Sequence, residues 1–418
     1  MGGNASKPKE FSGDILKLLN EYPSITEAFR VISEQLFFSK EVIFCFVFIV
    51  IYAVSLFRTS VPNPSYLDIT INVLQIVAFV YYTHLITNYL ISSGSNDIYF
   101  CAIVIFSSFI VLNLILYMIF GAQDRLDLGE PLMLNTWFGI NLTHRVFFPL
   151  VGGFNSYGVT VGALMAMTIV GLFTIPSTLH KTILFFLFVI DFIVMLLIDN
   201  RGGMFLGILV PIFIFLLTRF SLLEVLKYLV YIVPFIPILF LMILPLIGDS
   251  GIMSDISRSN SELQTANSRV IIWGIALQEF IDFKAMHLWG YGELGQYGSG
   301  ASQGWAKILT AFENPEYVHV HDLLLQMIFD LGYIGALVFL TVFGLSINVC
   351  LKLYNRIKDA RVLVFITFLV YLVSIGVIES LYTYKSFLYL MLFTFTVIYA
   401  VYNNHLNDMR QQIIPKIK

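Results

Sequence analysis

A short polar stretch beside an apolar run carries the groups best suited to acid–base chemistry. In "YVHVHDLLLQ" (residues 317–326), His319 and His321 precede Asp322. Imidazole titrates near neutral pH, so His321 is a candidate general base. Asp322 can instead serve as the N-cap of a helix, "DLLLQMIFDLG", with Gly332 near its end. Two histidines and one aspartate with no matching distant pair are weak evidence for a metal site, so we predict none.

Three arginines lie in comparable settings. Arg145 in "NLTHRVFFPLVGGFNSYG" and Arg201 in "LLIDNRGGMFLGIL" stand at the edges of apolar segments. Arg269 precedes Trp273 by four residues, so on a helix the two share a face with Leu277. A planar guanidinium grips phosphate or carboxylate with paired hydrogen bonds, which favours an anionic ligand. Snorkelling, lipid-headgroup contact and structural ion pairs are the alternative roles.

A glycine-rich segment, "GYGELG" (Gly290–Gly295), matches G-x-G-x-x-G literally. A dinucleotide fingerprint needs a buried strand before it and a helix after it. Here the segment follows "KAMHLW" in a polar loop, so we interpret the match as accidental. The glycines are expected to form turns or to allow close approach of backbone or substrate.

The composition fixes the class of protein that must position these residues. Of 418 residues, 58% are hydrophobic and 12% are charged. Soluble domains carry about 25% charged residues, so the chain is predicted to be a polytopic membrane protein. A net charge of -3 gives no indication of nucleic-acid binding. Cys45, Cys101 and Cys350 are too scattered to indicate a disulfide framework.

Apolar stretches long enough to cross a bilayer predict an all-α fold with about ten transmembrane helices. They are Phe38–Phe57, Ile69–Ile91, Ile98–Phe120, Tyr157–Ile175, Thr182–Ile198, Met204–Phe220, Val225–Ile247, Tyr333–Leu351, Val362–Ile378 and Ser386–Tyr402. A capping box at Ser24 and Glu27 predicts an interfacial helix before them. The resulting division is an arm (1–36), seven helices (37–247), a large loop with short helices (248–322), three helices (323–403) and a tail (404–418).

The basic residues predict the orientation of this bundle. With the N-terminus and the C-terminus in the cytoplasm, most of the 24 basic residues fall on the inside, mainly as lysines. The outside segments carry mostly arginines, which again favours an anionic ligand there. His319, His321 and the three arginines are all predicted on the outside. The long loop 248–322 exceeds what a connection needs, and such loops are usually functional.

From Arg145 to about Phe343 the order of motifs resembles the O-antigen ligase and O-antigen polymerase superfamily. The carrying features are Arg145 with Asn155 in "GGFNSYG", "RGG" at Arg201, "SR-x-x-x-W" at Arg269 and Trp273, the "G-x-G" segment, and the histidines followed by "LQ" and "G-x-x-G". The resemblance covers nearly half of the chain. It departs from the family at Asp322, where Asn is usual, and at Asn200, where Ser is common.

This resemblance implies a metal-independent glycosyltransferase without a cofactor, at the periplasmic face of the bacterial inner membrane. Its donor would be an oligosaccharide on undecaprenyl diphosphate. His321 would be the catalytic base, and Arg145, Arg201 and Arg269 would bind the diphosphate. His319, Asp322, Trp273 and Asn155 would support them.

The expected function is polymerisation of lipid-linked repeat units of O-antigen, capsule or exopolysaccharide. The alternative is an O-antigen ligase, whose acceptor is lipid A-core. A chain-length regulator and a flippase of the same pathway are possible partners. From a different class, a polysaccharide flippase or transporter would also need many helices and cationic residues, but it would not need the large loop. A membrane scaffold is disfavoured by the outside arginines.

Overall fold

The computed structural model describes residues 40–60, 65–92, 97–122, 124–127, 139, 143–151, 153–239, 260–307, 309, 314–379, 392–401 and 403–404. The predicted arm 1–36 with its capping box, the tail from 405 onwards and the start of the large loop lie outside these residues.

The described chain is almost entirely helical, which confirms the all-α class. The helices before the large loop are α1 (Lys40–Phe57), α2 (Tyr66–Ser92), α3 (Ile98–Phe120), α4 (Phe154–Thr174), α5 (Thr178–Ile198), α6 (Arg201–Arg219) and α7 (Leu226–Ile232). The loop contains α8 (Asn260–Glu279), α9 (Met286–Trp289), α10 (Gly295–Gly298) and α11 (Ser302–Ala306). Helices α12 (Leu323–Ile357), α13 (Leu363–Ile375) and α14 (Leu392–Val401) follow. Short 3-10 turns occupy Leu223–Val225, Val233–Phe235, Pro315–Tyr317 and Ala360–Val362.

Five of the described helices are long and apolar enough to span a membrane: α3, α4, α5, α6 and α12. Four shorter apolar helical stretches accompany them, at Val42–Phe57, Ile69–Ala78, Ala360–Ile375 and Leu392–Val401. Nine of the ten predicted spans therefore coincide with apolar helices. The remaining prediction, Val225–Ile247, begins as α7, and its second half lies outside the described residues.

Helix α4 lies at the centre of the bundle, where it packs against α5, α6 and α13. Its packing against α6 depends on glycines, because a Cβ at Gly203 would meet the carbonyl oxygen of Gly158. A Cβ at Gly162 would likewise approach the carbonyl of Gly203 at 2.6 Å. Small residues four apart on facing helices allow backbones to approach this closely in membranes. The start of α6 is thereby fixed against α4.

One departure from a purely helical fold bears on the site. Strands β1 (Asp124–Asp127) and β2 (His144–Phe147) form a two-stranded antiparallel pair in which Leu126 faces Arg145. Arg145 therefore projects from an extended segment beside the bundle. We call the end of the bundle with Arg145, Arg201 and His321 the His321 end, and the end with Asp97 and His180 the His180 end.

Candidate active site

His321 is placed by the start of α12. Asp322 caps this helix, with its Oδ1 accepting a hydrogen bond from the Leu325 backbone N–H at 2.7 Å, as the sequence predicted. The Leu323 N–H donates to the Gly376 carbonyl at 2.8 Å, so α12 starts against the end of α13. His321 itself has a φ of 54°, a left-handed conformation that costs a non-glycine residue of order 1 kcal/mol. A capped helix on one side and this turn on the other fix the direction of the imidazole.

The backbone just before His321 is held by buried polar side chains. Trp273 Nε1 donates to the Val320 carbonyl at 3.0 Å, and the Val320 N–H donates to Gln326 Oε1 at 3.1 Å. The amide of Gln326 in turn donates to Gln296 Oε1 at 2.8 Å. Trp273 thus acts on the backbone between the two histidines. His319 is half-buried.

Glu379, which the sequence analysis did not select, joins His321 to Arg269. Its Oε2 lies 3.4 Å from His321 Nδ1, and its Oε1 accepts a hydrogen bond from Arg269 Nη2 at 2.9 Å. Burial acts to raise the pKa of this carboxyl, but the hydrogen bonds and charges of His321 and Arg269 outweigh it and hold the pKa below the ordinary 4.5. Glu379 is therefore ionised at neutral pH.

The signal that could have identified Glu379 is its place in the chain. It directly follows the predicted span Val362–Ile378, on the side predicted for His321 and the arginines. An acidic residue at the end of a predicted span, on the same side as the arginines, is a candidate ion-pair partner for them.

Arg145 connects β2 to the ends of α4 and α5. Its Nε donates to the Ile198 carbonyl at 2.8 Å, and its Nη2 donates to Asn155 Oδ1 at 3.2 Å and to the Asp199 carbonyl at 3.3 Å. Asn155, expected to support the site, is thus a direct partner of Arg145. These bonds close the end of α5. Diphosphate binding by Arg145 stays a prediction alongside this role.

Arg201 opens α6 and is the more exposed of these two arginines, with 45% of its side chain accessible. Its Nε lies 3.8 Å from Asp199 Oδ2. Asn200, in the position where the family commonly has Ser, caps α6 by accepting from the Gly203 N–H at 2.7 Å. A Cβ at Gly202 would meet the side chain of Ile378, next to Glu379. The "RGG" glycines therefore serve the close approach of α6 to its neighbours.

The predicted cationic residues come together at the His321 end. The pKa of Arg145 is lowered to about 10, with burial as the largest cause and the charges of Arg201 and Arg269 acting in the same direction, while the charges of Asp199 and Glu379 oppose the shift. These groups come from β2, the α5–α6 junction, α8 and the end of α13. The result is a group of three arginines in which Arg269 bonds Glu379 directly and Arg145 lies within electrostatic reach of Arg201, Arg269 and Glu379.

The glycine-rich segment supports α12. A Cβ at Gly290 would meet the Asp330 carbonyl, and one at Gly292 would meet the Arg58 carbonyl. The Tyr291 N–H donates to the Phe329 carbonyl at 2.7 Å. The segment follows the four-residue helix α9 and not a strand, so it lacks the context of a dinucleotide site. Its glycines permit approach of the protein's own backbone.

The described residues offer few ligands for a metal ion. Within the part of the chain that the structure describes, no group of three or more His, Cys, Asp or Glu side chains could hold a metal ion. Metal independence itself stays a prediction.

Comparison with known families supports the earlier resemblance. Residues 183–340 match the family described as O-antigen ligase, and this segment contains Arg201, Arg269 and His321. No curated protein matches the chain. The match confirms the resemblance to the O-antigen ligase and polymerase superfamily, whose members are glycosyltransferase-like membrane enzymes with lipid-linked glycan substrates.

Proposed function

We propose that this protein polymerises undecaprenyl-diphosphate-linked oligosaccharide repeat units at the periplasmic face of the bacterial inner membrane. The observation that carries the proposal is that His321 and Arg269 share the carboxylate of Glu379, while Arg145 lies close enough to Arg201, Arg269 and Glu379 for their charges to act on it. A base beside several cations is what the transfer of a sugar from a lipid diphosphate to an alcohol requires.

His321 would activate the acceptor hydroxyl. The ionised carboxylate of Glu379 accepts hydrogen bonds only, so the Nδ1 that faces it carries the proton. In the neutral form of the imidazole, Nε2 presents its lone pair and can take the proton of a sugar hydroxyl. The acceptor oxygen forms a bond to the anomeric carbon, while the bond from that carbon to the phosphate oxygen breaks. The lipid diphosphate leaves with the electron pair.

The arginines would stabilise the leaving group. Diphosphate is already a good leaving group, so an enzyme gains most by neutralising the charge that develops on its oxygens and by orienting the alcohol. Arg201 is the best placed for direct contact because its side chain is the most exposed of the three. Arg269 contributes its charge next to the base through Glu379. This chemistry needs no metal ion.

A ligase that transfers the glycan to lipid A-core is the second candidate, since the matched family is described as O-antigen ligase. Both reactions share the donor and the base. We prefer the polymerase because the sequence carries no feature that points to lipid A-core recognition. A flippase for the same glycolipid would need no base at the site.

One assay separates the three activities. Purified protein in liposomes would receive a defined undecaprenyl-diphosphate oligosaccharide in the presence of a chelator. Products longer than the donor support the polymerase, whereas transfer only after addition of lipid A-core supports the ligase. Movement of labelled glycolipid between leaflets without a new glycosidic bond supports the transporter and contradicts the proposal. Loss of activity with chelator and its return with Mg²⁺ would contradict metal independence.

A further inference from the structure

A second surface feature lies in the large loop. The segment 281–289, "IDFKAMHLW", places five large apolar side chains outward. Their exposed fractions are 77% for Ile281, 66% for Phe283, 41% for Met286, 37% for Leu288 and 60% for Trp289. Soluble surfaces rarely expose so many large apolar side chains in nine residues, so such a patch marks an interaction surface.

The backbone of this segment is fixed to the rest of the protein. The ring of Phe280 packs on Phe329, with 4.7 Å between ring centroids. His287 is fully buried, and its Nδ1 accepts a hydrogen bond from the Lys284 backbone N–H at 3.2 Å. Arg58 donates to the Trp289 carbonyl at 3.2 Å. The outward apolar side chains are therefore presented by a held turn.

The patch continues onto the surface of a membrane-spanning helix. Phe280 and His287 contact the ring of Tyr333, with centroid distances of 6.0 and 6.3 Å. Tyr333 follows the kink at Gly332 in α12, and it is 36% exposed. Leu337, one turn further along α12, is 66% exposed. One apolar surface thus runs from the loop onto a helix that spans the bilayer.

The polar side chains fit the same arrangement. Lys284 reaches back to the carboxylate of Glu279, which also accepts a hydrogen bond from the Tyr291 hydroxyl at 2.9 Å. Tryptophan, tyrosine and lysine beside bulky aliphatic side chains are the composition of a segment at the level of the lipid headgroups. At that level the polar side chains would contact water and headgroups, and the apolar side chains would contact acyl chains.

We infer that segment 281–289 inserts into the interfacial layer of the lipid bilayer and anchors the large loop there. The segment is joined to α12 by the residue two positions after its end, since the Tyr291 N–H donates to the Phe329 carbonyl. Insertion therefore sets the height of the first part of α12, before its kink at Gly332, and with it the height of His321 relative to the lipid surface. The inference concerns lipid contact and does not depend on which reaction the protein catalyses.

Quenching of tryptophan emission by brominated phospholipid tests this inference. The whole protein, with Trp137 replaced by Phe, would be reconstituted in vesicles of phosphatidylcholine with and without bromine on the acyl chains. Trp273 and Trp305 are buried in the protein, so Trp289 should give most of the quenched emission. Trp289→Phe should abolish most of the quenching, and Phe283→Trp in that background should restore it.

Two other results would overturn the inference. Emission that brominated lipid leaves unchanged, together with strong quenching of Trp289 by aqueous iodide, would place the segment in water and overturn the inference. Emission that neither agent quenches, with cross-linking between copies at position 289, would show that a second copy of the chain covers the patch. Transfer activity plays no part in these readouts, so they remain decisive if the proposed reaction is wrong.

Discussion

Two sets of histidine, carboxylate and arginine lie at opposite ends of the bundle. At the His180 end, His180 Nδ1 is 3.2 Å from Asp97 Oδ2, and Arg361 lies 4.0 Å from the same carboxylate. At the His321 end, His321 Nδ1 is 3.4 Å from Glu379 Oε2, and Arg269 bonds the same carboxylate. Helix α5 connects the two ends, and its 21 residues span about 30 Å.

The two sets differ in the other contacts that their members make. His180 stacks face to face on Phe100, with ring centroids 3.9 Å apart, and Asp97 caps α3. Arg361 is held by both carboxylate oxygens of Asp359, two residues away. Each group at the His180 end completes a local structure. At this end the histidine, carboxylate and arginine therefore have structural roles, as a cap, a stacking partner and an ion pair between helices.

At the His321 end a different residue caps the helix, and the carboxylate serves the histidine. Asp322 caps α12, which leaves Glu379 to pair with His321 and Arg269. Two further arginines, Arg145 and Arg201, lie within electrostatic reach of this group. The difference shows that the other contacts of a histidine–carboxylate pair, and not its residue types, distinguish a connection between helices from a candidate site.

The largest expected effect separates the two histidines. His321→Ala should reduce the rate of glycosyl transfer by about 100-fold or more, because general-base catalysis contributes roughly that much. His180→Ala, which removes a similarly exposed histidine, should leave the rate within a few-fold. Initial rates with the defined lipid-linked donor give the comparison. Equal losses in the two variants would contradict the distinction between the ends.

The carboxylates give the next comparison. Glu379→Gln should lower kcat by roughly tenfold or more with little change in KM, because it removes the charge that orients and supports the imidazole. Glu379→Asp should recover part of the rate. Asp97→Asn keeps a side chain that can cap α3 and should change neither constant. A rise in KM alone for Glu379→Gln would indicate donor binding and would contradict positioning of the base.

The sequence predicted the helices far better than the partners of the candidate residues. Spans such as Ile98–Phe120 follow from local hydropathy and were predicted to the residue. The cap at Asp322 follows from local chemistry in the same way. The pairing of Glu379 with His321 depends instead on the end of α13 packing against the start of α12, through Leu323 and Gly376. The periodicity of apolar residues within one segment carries no information about such a contact between two helices.

The third expected effect contrasts two arginines. Arg201→Gln should lower kcat/KM by about tenfold, because one exposed guanidinium no longer binds the diphosphate. Arg201→Lys should recover only part of this, since lysine lacks the planar fork. Thermal stability should be nearly unchanged in both variants.

Arg361→Gln is the matched control for Arg201. Arg361 is held by Asp359 and lies 5.8 Å from the centre of the Tyr99 ring. Its loss should lower the melting temperature while the rate per folded molecule stays the same. A lower rate with unchanged stability in Arg361→Gln would contradict the structural role assigned to the His180 end.

The smallest expected effect on activity concerns Asp322. Asn is also a good N-cap, so Asp322→Asn should retain the rate within about twofold. Stability should respond to pH instead. Burial raises the pKa of this carboxyl from 3.8 to about 8. The folded protein then keeps a proton that the unfolded chain releases, so the contribution of Asp322 to wild-type stability falls as pH rises from about 4 to about 8.

Asp322→Asn has no proton to lose at this position, so its advantage over wild type should grow across the same range. By pH 8 it should melt about 2 °C higher or more. Melting in detergent at half-unit pH steps measures the difference between the two curves. Parallel curves would show that the carboxyl is already ionised in the folded state. Because the family usually carries Asn here, a rate lost in Asp322→Asn would mean that the carboxyl acts on the His321 side chain as well as on the helix.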